Sequence, residues 1–246
     1  MARRATRKAA VGKSAAASAQ TASARKPPAP ATEREKIIAA LLTLLADNRF
    51  ETIGFADIAA QAGVTLAALR GEFPSTLAIL AAHVKATDRA LLAEDLSDMA
   101  EEPPRERLFD VLMRRLELLA PHRQAIRSLL RSARRNPPLA VALNALAVRS
   151  QQWMLTAAGI GAAGPRGMIR AQGLAMLFGS VLGTWVSDDD PGHARTMAAL
   201  DRALARGQRF TGLVDDFCSI PARVCRLRSR RRRRRRGDDT EESAAA

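Results

Sequence analysis

The side chains between Asp57 and Ser75 could bring hydrogen-bonding groups to nucleic acid. The segment DIAAQAGVTLAALRGEFPS predicts two short helices joined at Gly63, because glycine suits the left-handed turn that ends a helix. A helix-turn-helix of this kind places its second helix in the major groove of DNA. Within that helix, only Thr65 and Arg70 carry groups that could hydrogen-bond to base edges. We therefore expect weak or assisted base reading.

Four further polar side chains beside the two helices could contact phosphates, which position a protein on DNA without reading sequence. They are Thr52, Gln61, Ser75 and Thr76. The alternative is a compact three-helix subdomain that contacts no nucleic acid.

No residue pattern predicts catalysis, a cofactor or a metal. The chain has no nucleophile elbow, P-loop, dinucleotide fingerprint or zinc motif. Its two cysteines and three histidines are too scattered for a shared site; they are Cys218, Cys225, His83, His122 and His193. Asp188, Asp189 and Asp190 are consecutive, so we expect them to cap the next helix rather than converge on one face. We expect no enzymatic activity.

The charge is concentrated at the two ends of the 246-residue chain, whose net charge is +14. Residues 1–31 carry seven Lys and Arg and no acid, and residues 223–246 carry ten Arg against four acids. Residues 32–222 carry 22 Lys and Arg against 21 acids. We predict disordered basic tails over 1–31 and 218–246. The first could supply the phosphate attraction that the helix-turn-helix lacks, or could be a solvated tail.

The elements that must position these residues are predicted to be helices. Apolar residues make up 47% of the chain and aromatic residues only 4%, which favours a helical core of Ala, Leu, Val, Ile and Met. Apolar spacing predicts about nine helices and no strand. We expect a helix-turn-helix domain over 32–80 and a helical dimerisation and effector domain over 81–217. No apolar run is long enough for a membrane span, so we expect a cytoplasmic protein without stable membrane insertion.

Small residues recur every four positions in the predicted helix that ends near Trp185. They are Gly167, Ala171, Ala175, Gly179 and Gly183. A stripe of small side chains lets another helix approach closely, so the stripe predicts a dimer interface or, alternatively, packing within the subunit.

Large apolar residues in the second half of the chain could line a pocket for an apolar molecule such as an acyl chain. They are Trp153, Met154, Met176, Phe178 and Trp185. The alternative is that they are core residues, because Met and Trp at helical spacing usually pack inside a protein.

Residues 33–96 resemble the TetR family of bacterial transcriptional regulators. The resemblance rests on the amphipathic first helix and on residues at the family's characteristic positions, which are Asp57, Ile58, Ala59, Ala62, Gly63, Val64, Phe73, Pro74 and Ser75. The chain departs from the pattern at Leu69, where members usually have tyrosine, at Thr76, where they usually have lysine, and at Arg49, where many have glycine. The resemblance implies an all-α homodimer that binds a palindromic DNA operator and responds to a ligand, often as a repressor.

Residues 105–206 are distantly similar to the TetR-like accessory proteins of ubiquinone biosynthesis, which bind lipid. The similarity rests on helix order, on Trp153 and Trp185, and on the acidic stretch before TMAALDRAL. It implies an alternative function, in which a lipid- or partner-binding protein keeps the fold without sequence-specific DNA binding.

Overall fold

The computed structural model describes residues 32–95, 99 and 101–207. Both predicted basic tails, 1–31 and 218–246, lie outside the described residues. Over the described ranges the regular structure is entirely helical, as the composition predicted. None of the described helices is both long enough and apolar enough to cross a membrane.

Within the described residues, eight α-helices and a further helical segment follow one another. They are α1 (Glu33–Asp47), α2 (Phe55–Ala62), α3 (Leu66–Glu72), α4 (Thr76–Leu92), α5 (Pro104–Leu119), α6 (Arg123–Ala133), α7 (Pro137–Ala157) and α8 (Gly164–Trp185), with α9 described over residues 194–207. Short 3₁₀ turns lie at Phe50–Thr52 and Ala120–His122. This number agrees with the predicted number of about nine.

The helix-turn-helix forms because local groups end one helix and start the next. Gly63 ends α2 with φ of 65°, a conformation that costs glycine little. The Thr65 hydroxyl oxygen accepts a hydrogen bond from the Ala68 amide at 3.1 Å and so caps α3. The Ser75 hydroxyl oxygen accepts one from the Ala78 amide at 3.1 Å and so caps α4. Each cap satisfies an amide that the helix itself leaves unpaired.

A first apolar core holds α1 to α4 together. Its buried members come from the three helices α1 to α3, which form the three-helix subdomain, and from α4. They include Ile37, Leu41, Leu45, Ile58, Leu69, Phe73 and Ile79. Ala125 of α6 belongs to the same core. The predicted domain end at residue 80 falls within α4, which continues without a break to Leu92.

Helix α6 is bonded to the three-helix subdomain on one side. The Ser128 hydroxyl donates to the Asn48 carbonyl oxygen at 2.7 Å, and the Phe50 amide donates to the Ser132 hydroxyl oxygen at 3.2 Å. Both serines are buried. The turn after α1 is therefore fixed against α6.

The same helix is bonded to the end of α8 on its other side. Arg123 donates to the carbonyl oxygens of Trp185, at 2.8 Å, and of Asp188. Arg127 donates to the Val186 carbonyl oxygen. Arg127 supplies a partner to the Val186 carbonyl, which lies at the end of α8 where carbonyls have no partner within the helix. The Trp185 carbonyl also accepts from the Asp188 amide at 3.2 Å, so Arg123 adds a second hydrogen bond there.

A second core lies between α5, α7, α8 and α9. Its most buried large members include Leu112, Leu116, Met154, Trp185 and Leu200. A buried ion pair links α4 to this core: Arg115 bonds to Asp88, and the Ser150 hydroxyl donates to the same Asp88 oxygen at 2.8 Å. The hydrogen bond from Ser150 helps to offset the cost of burying the charges.

Of the three consecutive aspartates expected to cap the start of α9, Asp188 and Asp190 do so. Asp189 instead lies 3.8 Å from the Arg123 guanidinium. Asp188 accepts hydrogen bonds from the Thr196 amide at 2.8 Å and the Thr196 hydroxyl at 2.6 Å. These bonds, with the hydroxyl first, hold the pKa of the Asp188 carboxyl below its ordinary value. Asp190 accepts from the Ala194 amide at 3.1 Å.

Candidate nucleic-acid interface

The two predicted base-reading residues lie at the N-cap and on the exposed face of α3. Thr65 and Arg70 are both exposed. Within the described part of the chain, Arg70 forms no ion pair, so its guanidinium is available to an external acceptor. The Thr65 oxygen is used as an acceptor by the helix cap, but its hydroxyl proton can still be donated.

The predicted phosphate-contacting residues lie around α2, α3 and the start of α4. Thr52 and Gln61 are exposed, whereas Ser75 and Thr76 are half-buried. The Thr52 hydroxyl donates to the Arg49 carbonyl at 2.9 Å, which leaves only its lone pairs for an external partner. Ser75 keeps its hydroxyl proton, because its oxygen acts as an acceptor in the cap.

Exposed apolar residues lie among these polar groups, at the start of α2 and along α3. Leu66 has 55% of its surface exposed and Phe55 has 45%. Ala67 and Gly71 are exposed beside them. Apolar side chains cannot hydrogen-bond to bases, but they can pack against the methyl group of thymine in the major groove.

The subdomain also carries little of the positive charge that DNA binding uses. Residues 32–80 contain four Lys and Arg against six Asp and Glu. One of the four, Arg34, pairs with Glu72 at 3.2 Å and lies 4.3 Å from the centre of the Phe73 ring. Because phosphate attraction depends on lysine and arginine, this subdomain by itself offers little of it.

Three members of the small-residue stripe on α8 are covered by the chain itself. Ala171 and Ala175 lie in the second core, and Gly167 is also buried. A Cβ at Gly167 would stand 2.1 Å from the Ala162 carbonyl group, so this position requires glycine. The structure thus corrects the prediction of a dimer contact at these three positions, because packing within the subunit already uses them.

The remaining stripe residues, Gly179 and Gly183, are half-buried. They keep some surface for a second copy of the chain. An interface through them stays a prediction.

The five residues predicted to line a pocket do not enclose a common cavity. Met154, Phe178 and Trp185 are buried core residues. Trp153 and Met176 point outward, with 58% and 68% of their surfaces exposed. The alternative interpretation, that these residues belong to the core, therefore fits Met154, Phe178 and Trp185. Only Met176 of the five lines a groove, which lies along α8.

Two histidines lie in contact where α4 meets the turn before α6, and the sequence did not predict that they would meet. The rings of His83 and His122 meet edge to face with centres 5.1 Å apart. Burial lowers the pKa of His83 to about 4, with smaller contributions from His122 and Arg115. Burial also lowers the pKa of His122. Nothing in the sequence could have paired residues 39 positions apart on separate helices.

Comparison with known proteins rests on structure. No family model matches this chain, and no curated protein is detectably similar in sequence.

Three solved structures share the arrangement of helices over most of their lengths. A TetR transcriptional regulator from Nitrosomonas europaea ATCC 19718 has a TM-score of 0.56 at 22% identity, over 72% of this chain and 99% of that one. A TetR regulator from Rhodococcus sp. RHA1 has a TM-score of 0.52 at 20% identity, over 71% and 95%. A putative TetR-family regulator from Syntrophomonas wolfei has a TM-score of 0.52 at 16% identity, over 73% and 94%. The chain therefore has the fold of the TetR transcriptional regulators.

Proposed function

We propose that this chain is a cytoplasmic, DNA-binding transcriptional regulator that binds a palindromic operator as a homodimer. The observation that carries the proposal is the complete helix-turn-helix, with its left-handed turn at Gly63, its cap at Thr65 and an outward-facing α3. This geometry presents one helix for the major groove in each half-site.

Different residues would make different contributions to DNA binding. Arg70 can donate to guanine, and Thr65 can donate to a base or a phosphate. Leu66 and Ala67 can pack against thymine methyl groups. The basic segments 1–31 and 223–236 contain 17 Lys and Arg and no acid, whereas the cations of 32–222 are almost balanced by acids. These segments therefore supply the net positive charge and most of the salt-dependent affinity.

Helix α6 gives the proposed regulator a physical route between its two parts. It is bonded to the turn after α1 through Ser128 and Ser132, and to the end of α8 through Arg123 and Arg127. A ligand bound against α8 that favours one position of α6 would favour one position of the helix-turn-helix. Such a ligand shifts a population only by its difference in affinity for the two states.

A second function is supported by the apolar surface around Leu66 and Phe55 and by the excess of acidic residues in 32–80. Both features suit a lipid- or partner-binding protein that keeps the fold without reading DNA. A contiguous apolar patch on a soluble protein often marks a contact surface.

The two functions are separated by selecting fragments of the host genome that bind the full chain at near-physiological salt. We expect one short palindrome, and we expect its recovery to fail when Thr65 and Arg70 are changed to Ala. Arg149→Ala, which removes an exposed charge from α7, is the matched control and should leave recovery unchanged. Fragments without a shared sequence, or none at all, would contradict the operator-binding proposal.

A further inference from the structure

A groove of about 910 Å³ runs between α5, α8 and α9. Its floor is formed by leucines from four helices, which are Leu108, Leu155, Leu174, Leu177 and Leu204. The volume is near the upper end of the range of roughly 300–1,000 Å³ that small-molecule sites occupy. An apolar floor of this size favours a ligand with a hydrocarbon body.

Arginines line the groove beside this apolar floor. They are Arg105, Arg166, Arg170 and Arg206, and its described lining contains no acidic residue. Arg105 is already paired with Asp201 and Glu106, and Arg170 donates to the Gly161 carbonyl at 3.2 Å. Within the described ranges, Arg166 and Arg206 form no ion pair. These two cations are therefore available to an anionic group of a ligand.

The groove is elongated along α8. Its lining on this helix extends from Arg166 to Ser180, which corresponds to about 21 Å at roughly 1.5 Å per residue. A long apolar floor beside two available arginines matches a flexible hydrocarbon chain that ends in an acid. A neutral hydrocarbon would leave the arginines without a partner.

We propose that this groove binds a single-chain acidic amphiphile, with its hydrocarbon chain along the leucines and its acid group at Arg166 or Arg206. The binding itself needs no DNA. The inference that such a ligand regulates DNA binding rests on the proposed function above.

The first test titrates the full chain with dodecanoate, below its micelle concentration, and with 1-dodecanol, which has the same chain length and no charge. We expect dodecanoate to bind at least tenfold more tightly. Arg166→Glu or Arg206→Glu should weaken dodecanoate binding at least tenfold, whereas Arg149→Glu on α7 should not. The basic end segments are the same in all these variants, so attraction to them cannot produce the difference.

The second test fills the groove. Gly173 lines it, and a Cβ there meets open space, so Gly173→Leu should fold normally and abolish binding. Ala145→Leu is the matched control, because Ala145 is exposed on α7 and lies outside the groove lining. Thermal melting of both variants checks the fold.

Equal affinity for dodecanoate and 1-dodecanol, or unchanged binding to Gly173→Leu, would overturn the proposal. An absence of binding would also overturn it. If the protein binds dodecanoate but selects no DNA palindrome, the ligand proposal for the groove would be supported and the proposal of operator binding would be refuted.

Discussion

Leu66 and Ala67 lie on α3 where a DNA-reading helix would ordinarily carry polar side chains. Because they cannot hydrogen-bond to bases, their reading of sequence would have to depend on the thymine methyl group. Arg70 is the strongest hydrogen-bond donor on the exposed surface of the same helix. A half-site read by this face should therefore combine thymines with a guanine.

The contribution of the thymine methyl group can be measured directly. In the selected operator, replacing thymine with deoxyuridine in the half-sites removes only a methyl group and should weaken binding roughly tenfold, or about 1.4 kcal/mol. Fluorescence anisotropy at fixed salt would measure the change. Leu66→Ala should bind the two operators more equally, and the same replacement outside the half-sites should have no effect. Equal binding of both operators by the unmodified chain would exclude methyl reading.

His83 makes the stability of the protein depend on pH. Its pKa is about 4 in the folded chain, below the ordinary value of 6.5, because burial disfavours the charged ring. Between these values the unfolded chain binds more protons, so stability is complete above about pH 6.5 and is lost as the pH falls toward 4. The full difference is of the order of 3 kcal/mol.

Urea unfolding of the chain and of His83→Gln between pH 4 and 7 tests this dependence. The unfolding free energy of the unmodified chain should fall more steeply with acidification than that of the variant. His193→Gln removes a histidine from the start of α9 and serves as the control. Parallel curves for the unmodified chain and His83→Gln would contradict the assignment.

At the level of elements, two glycines on α8 have opposite requirements. A Cβ at Gly167 would stand 2.1 Å from the Ala162 carbonyl group, whereas a Cβ at Gly179 meets nothing within 4 Å. Gly167→Ala should therefore lower the unfolding free energy by about 2 kcal/mol or more, since the backbone of residue 162 has to shift. Gly179→Ala should raise it by up to about 1 kcal/mol, because alanine favours the helix.

Chemical denaturation of the two variants beside the unmodified chain measures both changes. If Gly167→Ala proved as stable as Gly179→Ala, the close approach of residue 162 to α8 would not exist in solution. Because both substitutions add one methyl group to one helix, each is the control for the other.

The helices that the sequence predicts best are those whose ends are set by local chemistry. The helix Phe55–Ala62 ends at Gly63, as its sequence predicts, because the left-handed turn depends on that glycine alone. The caps at Asp188 and Asp190 are predictable for the same reason. These features need no knowledge of distant residues.

The candidate pocket and the stripe could not be predicted because each depends on which helix lies opposite. Trp153 and Met154 are adjacent in sequence, yet one is exposed and the other is fully buried. Successive residues of a helix point in directions about 100° apart. Periodicity therefore shows which residues share a face of the helix, but it does not show which other helix packs against that face. The stripe of small residues on α8 likewise indicated a closely packed face. It did not show that residue 162 packs against Gly167, or that Ala171 and Ala175 lie in the second core.

At the scale of the whole molecule, the proposed function gives affinity for DNA and reading of DNA to different parts of the chain. Residues 32–80 hold more acids than bases, whereas residues 1–31 hold seven cations and no acid. Removing residues 1–31 should reduce the salt dependence of DNA binding, by roughly 0.9 in the log–log slope for each phosphate that this segment neutralises. It should leave the preference for the operator over random DNA largely intact.

Binding to operator and random duplexes over a series of salt concentrations measures both quantities. The matched control replaces the seven cations of 1–31 with glutamine and keeps the length of the segment. A truncated chain with an unchanged slope would show that residues 1–31 do not bind phosphates.

The bonds that α6 makes to its neighbours end largely on main-chain groups. Ser128 bonds to the carbonyl of residue 48, Ser132 to the amide of residue 50, and Arg123 and Arg127 to carbonyls of residues 185, 186 and 188. Every amino acid supplies a carbonyl, and every one except proline supplies an amide. Substitutions at residues 48, 50, 185, 186 and 188 therefore keep the main-chain groups to which α6 bonds. Substitutions of the four α6 side chains remove the bonds. An evolving lineage can thus replace much of its surface around a few fixed residues on one helix and keep the two halves of the molecule joined.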